Sequence, residues 1–234
     1  MESEERSLPR AASAGAAAPS APRSRKGVET RARLVDAAKL VFEEGGFLEA
    51  RISDIAERAG LSHGAFYHYF DSKEQIFREV AEAQEQLLTA PPSDEDLIGS
   101  ADDSPCERIR KANRRYLERY RNEARIMGVI EQVSRYDEHV NEVRTARQKH
   151  FAGRSEDSIR RLQKEGVVDR DIEPSIAATA LGAMVARFAE LWLVHGYADY
   201  DFDEAVEQLT RLWCNALGLE TERATRKDRR RRSR

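Results

Sequence analysis

Between Ser62 and Lys73 the chain reads SHGAFYHYFDSK, which gathers hydroxyls, two imidazoles, two phenols and an ammonium in one short segment. These groups donate and accept hydrogen bonds, so the chemistry they offer is recognition. Phe66 and Phe70 stand four residues apart and turn inward as one helical stripe. That leaves His63, Gly64, Ala65, Tyr67 and His68 facing outward, with Ser62 at the helix start.

The surrounding elements explain how such a segment is held. Upstream, Ile52, Ile55, Ala56 and Ala59 recur at helical spacing, and Gly60 follows where a helix end favours positive φ. Ser62 is a suitable N-cap for the next helix. Two helices around so tight a turn form a helix-turn-helix, whose second helix fits the DNA major groove. A first helix over about Glu29 to Glu44 carries Leu34, Ala38, Val41 and Phe42 on one face, and Gly45 and Gly46 end it. A fourth begins at Ser72, with Gln75 completing a capping box, and runs until Pro91 and Pro92.

The segment LSHGAFYHYFDSKEQIF, with DIAERAG and AAKLVFEEGGF before it, resembles the DNA-binding signature of the TetR family of bacterial transcriptional regulators. The likeness is specific from about Thr30 to Phe77. It implies that the third helix enters the major groove with its early residues near base edges. There His63 and His68 would bond bases, Gly64 would admit close approach, and Ala65 would offer a methyl to thymine. Tyr67 and Tyr69 are candidate phosphate contacts, with plain aromatic packing the competing role for Tyr69. Lys73, in the first turn of the fourth helix, is the clearest expected phosphate ligand. Where many family members have threonine at the start of the second helix, this chain has Ala50 and Arg51. Arg51 would supply a charged contact instead of a hydroxyl.

Net charge is −3, with 35% charged residues, so the chain does not coat DNA by bulk charge. A sequence-specific reader needs cations only at a few positions. Glu43, Glu44, Asp54 and Glu57 are expected to face away from a duplex. The five histidines lack metal-ligand spacing, no CxxC pair occurs, and neither a phosphate-binding glycine loop nor a nucleophile elbow is present. An enzyme is therefore disfavoured, and no cofactor or metal is expected. The apolar run Ile176 to Ala186 is too short to span a bilayer, and the N-terminus lacks a secretory core, which points to a cytoplasmic protein. In that compartment Cys106 and Cys214 are expected as reduced thiols, with a redox switch the minor alternative.

No strand-like alternation competes, and the fold expected is all-α. Residues 1–27 read as a disordered arm, whose Arg23, Arg25 and Lys26 are either a solvated tail or a DNA-touching segment. Residues 28–72 form the helix-turn-helix domain and 73–219 a helical regulatory and dimerisation domain. Residues 220–234 form a disordered basic tail. Helices over about 106–122, 124–136, 138–165, 174–195 and 202–217 are expected in the second domain, after a loop at 93–104.

The second domain would bind a small effector and pair with its copy, as the family resemblance implies. Asn113, Tyr116, Tyr120, Met127, Ile130, Glu131, Phe151, Met184, Arg187, Phe188 and Trp192 make the candidate ligand set, although core packing uses the same residue types. Arg187 is the preferred polar anchor, because a charge within an apolar helix needs a partner: a ligand carboxylate, Glu190 or Glu131. Trp192, Leu209, Leu212 and Trp213 are the expected homodimer contacts, with monomer core the alternative for part of that face. The function expected is repression of a palindromic double-stranded operator, relieved by a hydrophobic effector. Activation, and a protein–protein adaptor with a vestigial DNA motif, are the alternatives.

Overall fold

The computed structural model describes residues 24–91 and 103–219. Among them are nine helices and no strand: α1 (Arg25–Glu49), α2 (Ile52–Arg58), α3 (His63–Phe66), α4 (Lys73–Thr89), α5 (Pro105–Asn122), α6 (Ala124–Val133), α7 (Glu138–Lys164), α8 (Pro174–Ala189, continued by a π-helical turn Glu190–Val194) and α9 (Phe202–Ala216). The all-α expectation holds. Arm residues 1–23, tail residues 220–234 and most of the expected 93–104 loop lie outside the described residues.

Helix α1 begins earlier than its apolar stripe suggests, because the Ser24 hydroxyl accepts the Gly27 N–H at 3.1 Å and caps the first turn. Arg25 and Lys26 are therefore helical rather than part of a disordered arm. At the other end Gly46 adopts φ 71°, which breaks the helical path and turns Phe47 back into the core. There Phe42, Phe47 and Phe77 pack with ring centroids 4.9 to 5.7 Å apart. Helix α4 starts as expected: Ser72 Oγ accepts the Gln75 N–H, and Gln75 Oε1 accepts from the Asp71 N–H. Its buried face passes from Ile76 and Phe77, in the core of the first domain, to Gln84, Glu85 and Leu88. That second end packs on α7, so one rigid helix belongs to both halves.

Helix α8 corrects the expectation of a short apolar run. With its π turn it forms a 21-residue rod, Pro174–Val194, whose most apolar 18-residue stretch has mean hydropathy 1.4, long and apolar enough by length and composition to span a bilayer. Instead it packs along α7, burying Pro174, Ala178, Val185 and Ala189. Only 22% of its most apolar stretch is buried within the chain.

The cysteines also differ from expectation. Cys106, in the first turn of α5, and Cys214, near the end of α9, form a disulfide with Cα atoms 5.9 Å apart. A sequence separation of 108 residues hid this proximity, which arises because α5 and α9 pack side by side.

Candidate functional site

The turn between α2 and α3 is set by a Schellman arrangement. The Gly60 N–H donates to Glu57 O and the Leu61 N–H to Ala56 O, both at 2.9 Å, with Gly60 at φ 67°. Ser62 then caps α3 by accepting the Ala65 N–H at 3.2 Å. Regular α3 is only one turn long, shorter than the expected rod from Ser62 to Phe70. Looser turns finish it through His68 N–H to Ala65 O and Phe70 N–H to Phe66 O.

Phe66 and Phe70 are fully buried and fix this turn to the core. Ser62, His63, Gly64, Tyr67 and His68 are exposed, whereas Ala65 and Tyr69 are half-buried. A Cβ added at Gly64 would meet nothing within 4 Å, so packing inside the chain does not require glycine there. The same open space lets a bulky partner approach the backbone. Exposed Arg51 sits at the N-cap of α2 without a side-chain capping bond, and no other described residue holds its guanidinium.

Lys73 requires a correction. Its ammonium donates to Phe47 O, Leu48 O and Ala50 O at 2.8, 3.1 and 3.0 Å and lies 4.7 Å from the Phe47 ring centroid. An ammonium has three donors, and here all three clamp the α1–α2 connection to α4, so no donor remains for a phosphate. Lys73→Met is accordingly expected to lower stability by about 2 kcal/mol, since bonds to charged groups contribute on that order. Thermal unfolding checks this; an unchanged melting temperature with weakened DNA binding would restore the phosphate role.

In the second half, a cavity of about 630 Å³ opens between α5, α7, α8 and α9 beside the end of α4. Of the candidate ligand residues, Asn113, Tyr116 and Phe151 line it. Tyr120, Met127, Ile130, Glu131 and Arg187 line a separate hollow of about 160 Å³. Met184, Phe188 and Trp192 border neither; Phe188 and Trp192 pack with Tyr200, and Trp192 also with Phe202. Arg187 is not the buried anchor expected of it, because its side chain is 57% exposed and pairs with Glu190.

The buried cation is Arg147, 5% exposed, in the walls of both hollows and 3.0 Å from Glu85 of α4. Burial pushes the Glu85 carboxyl up to about 7, against the pull of Arg147 and Arg144. The nearby Tyr116 hydroxyl is buried and has no hydrogen-bond partner among the described residues, and burial raises its pKa. Sequence periodicity carried the signal: Arg147 falls seven residues after Val140 and four before Phe151, on the inward face of α7.

Among the described residues, Glu131, Glu190 and His195 form the one group whose ligand atoms lie within 4.8 Å of each other. Glu190 is already paired with Arg187 and lies 3.9 Å from Arg144, so the local charge opposes a divalent ion. Among the expected dimer contacts, Leu209 and Trp213 are 4% and 7% exposed and belong to the monomer core. Trp213 lines the large cavity. Leu212 is 51% exposed and Trp192 is half-buried.

Residues 34–80 match the family described as bacterial regulatory proteins, tetR family. The chain is 49% identical over 55 residues to the uncharacterized HTH-type transcriptional regulator YdgC of Bacillus subtilis, a match covering 24% of this chain and 28% of that protein. It thus spans little more than a quarter of that relative's length. The fold resembles NalD, the secondary repressor of the MexAB-OprM multidrug efflux pump in Pseudomonas aeruginosa, with TM-score 0.62 and 24% identity over 81% of this chain and 97% of that one. It also resembles a regulator from Saccharomonospora viridis solved in complex with choline, with TM-score 0.62 and 21% identity over 79% and 95% of the two chains.

Proposed function

We propose that this chain, whose residues 34–80 match the family described as bacterial regulatory proteins, tetR family, is a dimeric, sequence-specific DNA-binding regulator of transcription in the cytoplasm, released from its operator by a small molecule. One observation carries the reading: the exposed edge His63, Gly64, Tyr67 and His68 stands on a turn locked by fully buried Phe66 and Phe70. In this reading His63 and His68 bond base edges, Ser62 and Tyr67 meet the backbone, and Arg51 supplies the phosphate charge at α2. Half-buried Ala65 and Tyr69 take smaller parts. The repressor sign draws support from NalD, and effector binding from the choline complex of the other similar fold.

One such domain touches too few base pairs for useful specificity, and a dimer doubles the site. The uncovered side of α8, with Ile176 69% exposed, and Leu212 on α9 offer the apolar face for a second copy. Leu212→Glu is expected to shift the protein to monomer in light scattering and to weaken operator binding. A dimer that persists unchanged would exclude this face.

Effector coupling runs through α4, which joins the two cores. A ligand in the cavity shifts the distance between paired α3 turns by its preference for one dimer shape. For DNA reading, His68→Ala is expected to lower operator-over-scrambled discrimination by about 1–3 kcal/mol. Arg51→Ala should instead weaken both sequences alike and reduce the salt slope by about one. Gel-shift titrations of both variants test the assignment; equal losses on both sequences for His68→Ala would remove it from base reading.

A further inference from the structure

The cations lining the large cavity fall into two facing rows. Arg108, Lys111, Arg115 and Arg119 follow helical spacing along α5. Arg147, Arg154 and Arg161 recur every seven residues along α7, with Lys149 beside them. Against these, Asp103 is the one carboxylate in the lining among the described residues.

Several of these charges are already used. Lys111 pairs with Asp103 at 2.8 Å, Arg147 with Glu85, and Arg161 lies 4.0 Å from Glu165. Arg119 donates to Leu88 O, Ala90 O and Pro91 O. Arg108, Lys149 and Arg154 have no ion-pair partner among the described residues. Like charges on opposite walls of one opening repel, and low-dielectric walls focus their field into the cavity. A bound anion relieves that repulsion; a cation adds to it. The lining also includes the apolar side chains of Leu88, Ile109, Phe151, Ile159, Leu162 and Trp213.

We propose that the effector is an amphiphilic anion: an apolar body against these side chains, with a carboxylate or phosphate head between the cations of α5 and α7. This rests on the reading of the cavity as an effector site, and its size falls within the range of small-molecule pockets, about 300–1,000 Å³. Asn113 and Gln148, also in the lining, add polar contacts at the wall.

The test titrates the purified full-length protein, below micelle-forming concentrations, with dodecanoate, dodecyl phosphate, dodecanol and dodecyltrimethylammonium, followed by calorimetry. Inorganic phosphate alone serves as a fifth probe. At least one anionic amphiphile should bind about tenfold or more tighter than dodecanol, as expected for one charge-assisted contact. The tighter of the two then identifies the head group. Combined Arg108→Gln, Lys149→Gln and Arg154→Gln substitutions should bring the anion down to the affinity of dodecanol. Dodecanol or the ammonium binding as well as both anions, or an anion advantage that survives the triple substitution, would overturn the proposal while leaving the cavity an effector site. Inorganic phosphate binding as tightly as the amphiphiles would overturn the amphiphile claim. Failure of all four twelve-carbon probes to bind would overturn both this inference and the effector reading.

Discussion

Above pH 7, where Glu85 is ionised, replacing Arg147 by alanine is expected to cost about 3–5 kcal/mol of stability, because it leaves that carboxylate unpaired in the joint between α4 and α7. The two side chains are 5% and 7% exposed, so neither charge is well hydrated in the fold. Replacing both members by methionine should cost much less, since the desolvation of two charges disappears with the pair. The same site sets a pH dependence. The Glu85 carboxyl lies at about 7 in the fold and near 4.5 when exposed, so between those values the folded protein holds a proton that the unfolded chain has released. Stability therefore falls as pH rises through that window, by up to about 3 kcal/mol, and Glu85→Gln should flatten the slope. Urea unfolding across pH 4.5–7.5 measures both effects. A loss under about 1 kcal/mol for Arg147→Ala would show that the pair does not hold α4 to α7.

The second large effect belongs to the Cys106–Cys214 bond, which closes a sequence separation of 108 residues. Constraining so long a loop in the unfolded chain stabilises the fold by about 4–5 kcal/mol in the chain-entropy account. Cys214 is fully buried and Cys106 is half-buried, so a reductant meets the bond from the Cys106 side. Unfolding in urea with and without dithiothreitol should differ by that amount, and Cys214→Ser should reproduce the reduced curve. Coincident curves, with free thiols detected in both samples, would show that the two cysteines remain thiols in solution.

The helical layout was legible because caps and periodicity agree along the chain. Ser72 with Gln75, Gly60 after the stripe that ends at Ala59, and the buried stripe Val206, Leu209 and Trp213 each mark their element locally. The inward and outward sides of the α3 turn were legible for the same reason, since Phe66 and Phe70 have the spacing of a single face. What stayed hidden depended on contacts between distant segments. Lys73 has the position of a phosphate ligand, and only the return of residues 47–50 beneath it takes up its donors. Arg187 interrupts an apolar run but lies on the solvent side of α8, while Arg147 is buried on a highly charged helix. Leu209 and Trp213 share the apolar stripe of α9 with dimer candidates, and periodicity alone does not divide a monomer core from an interface.

In the proposed function the exposed edge of the α3 turn reads DNA sequence as one of a symmetric pair. Selecting bound sequences from a random double-stranded DNA library with the purified protein tests it most directly. Enrichment of a two-fold palindrome is expected, with half-sites about one helical turn or a multiple apart, lost on combined His63→Ala and His68→Ala substitution. Recovery of unenriched sequences, or an enriched motif that the double substitution leaves unchanged, would contradict it.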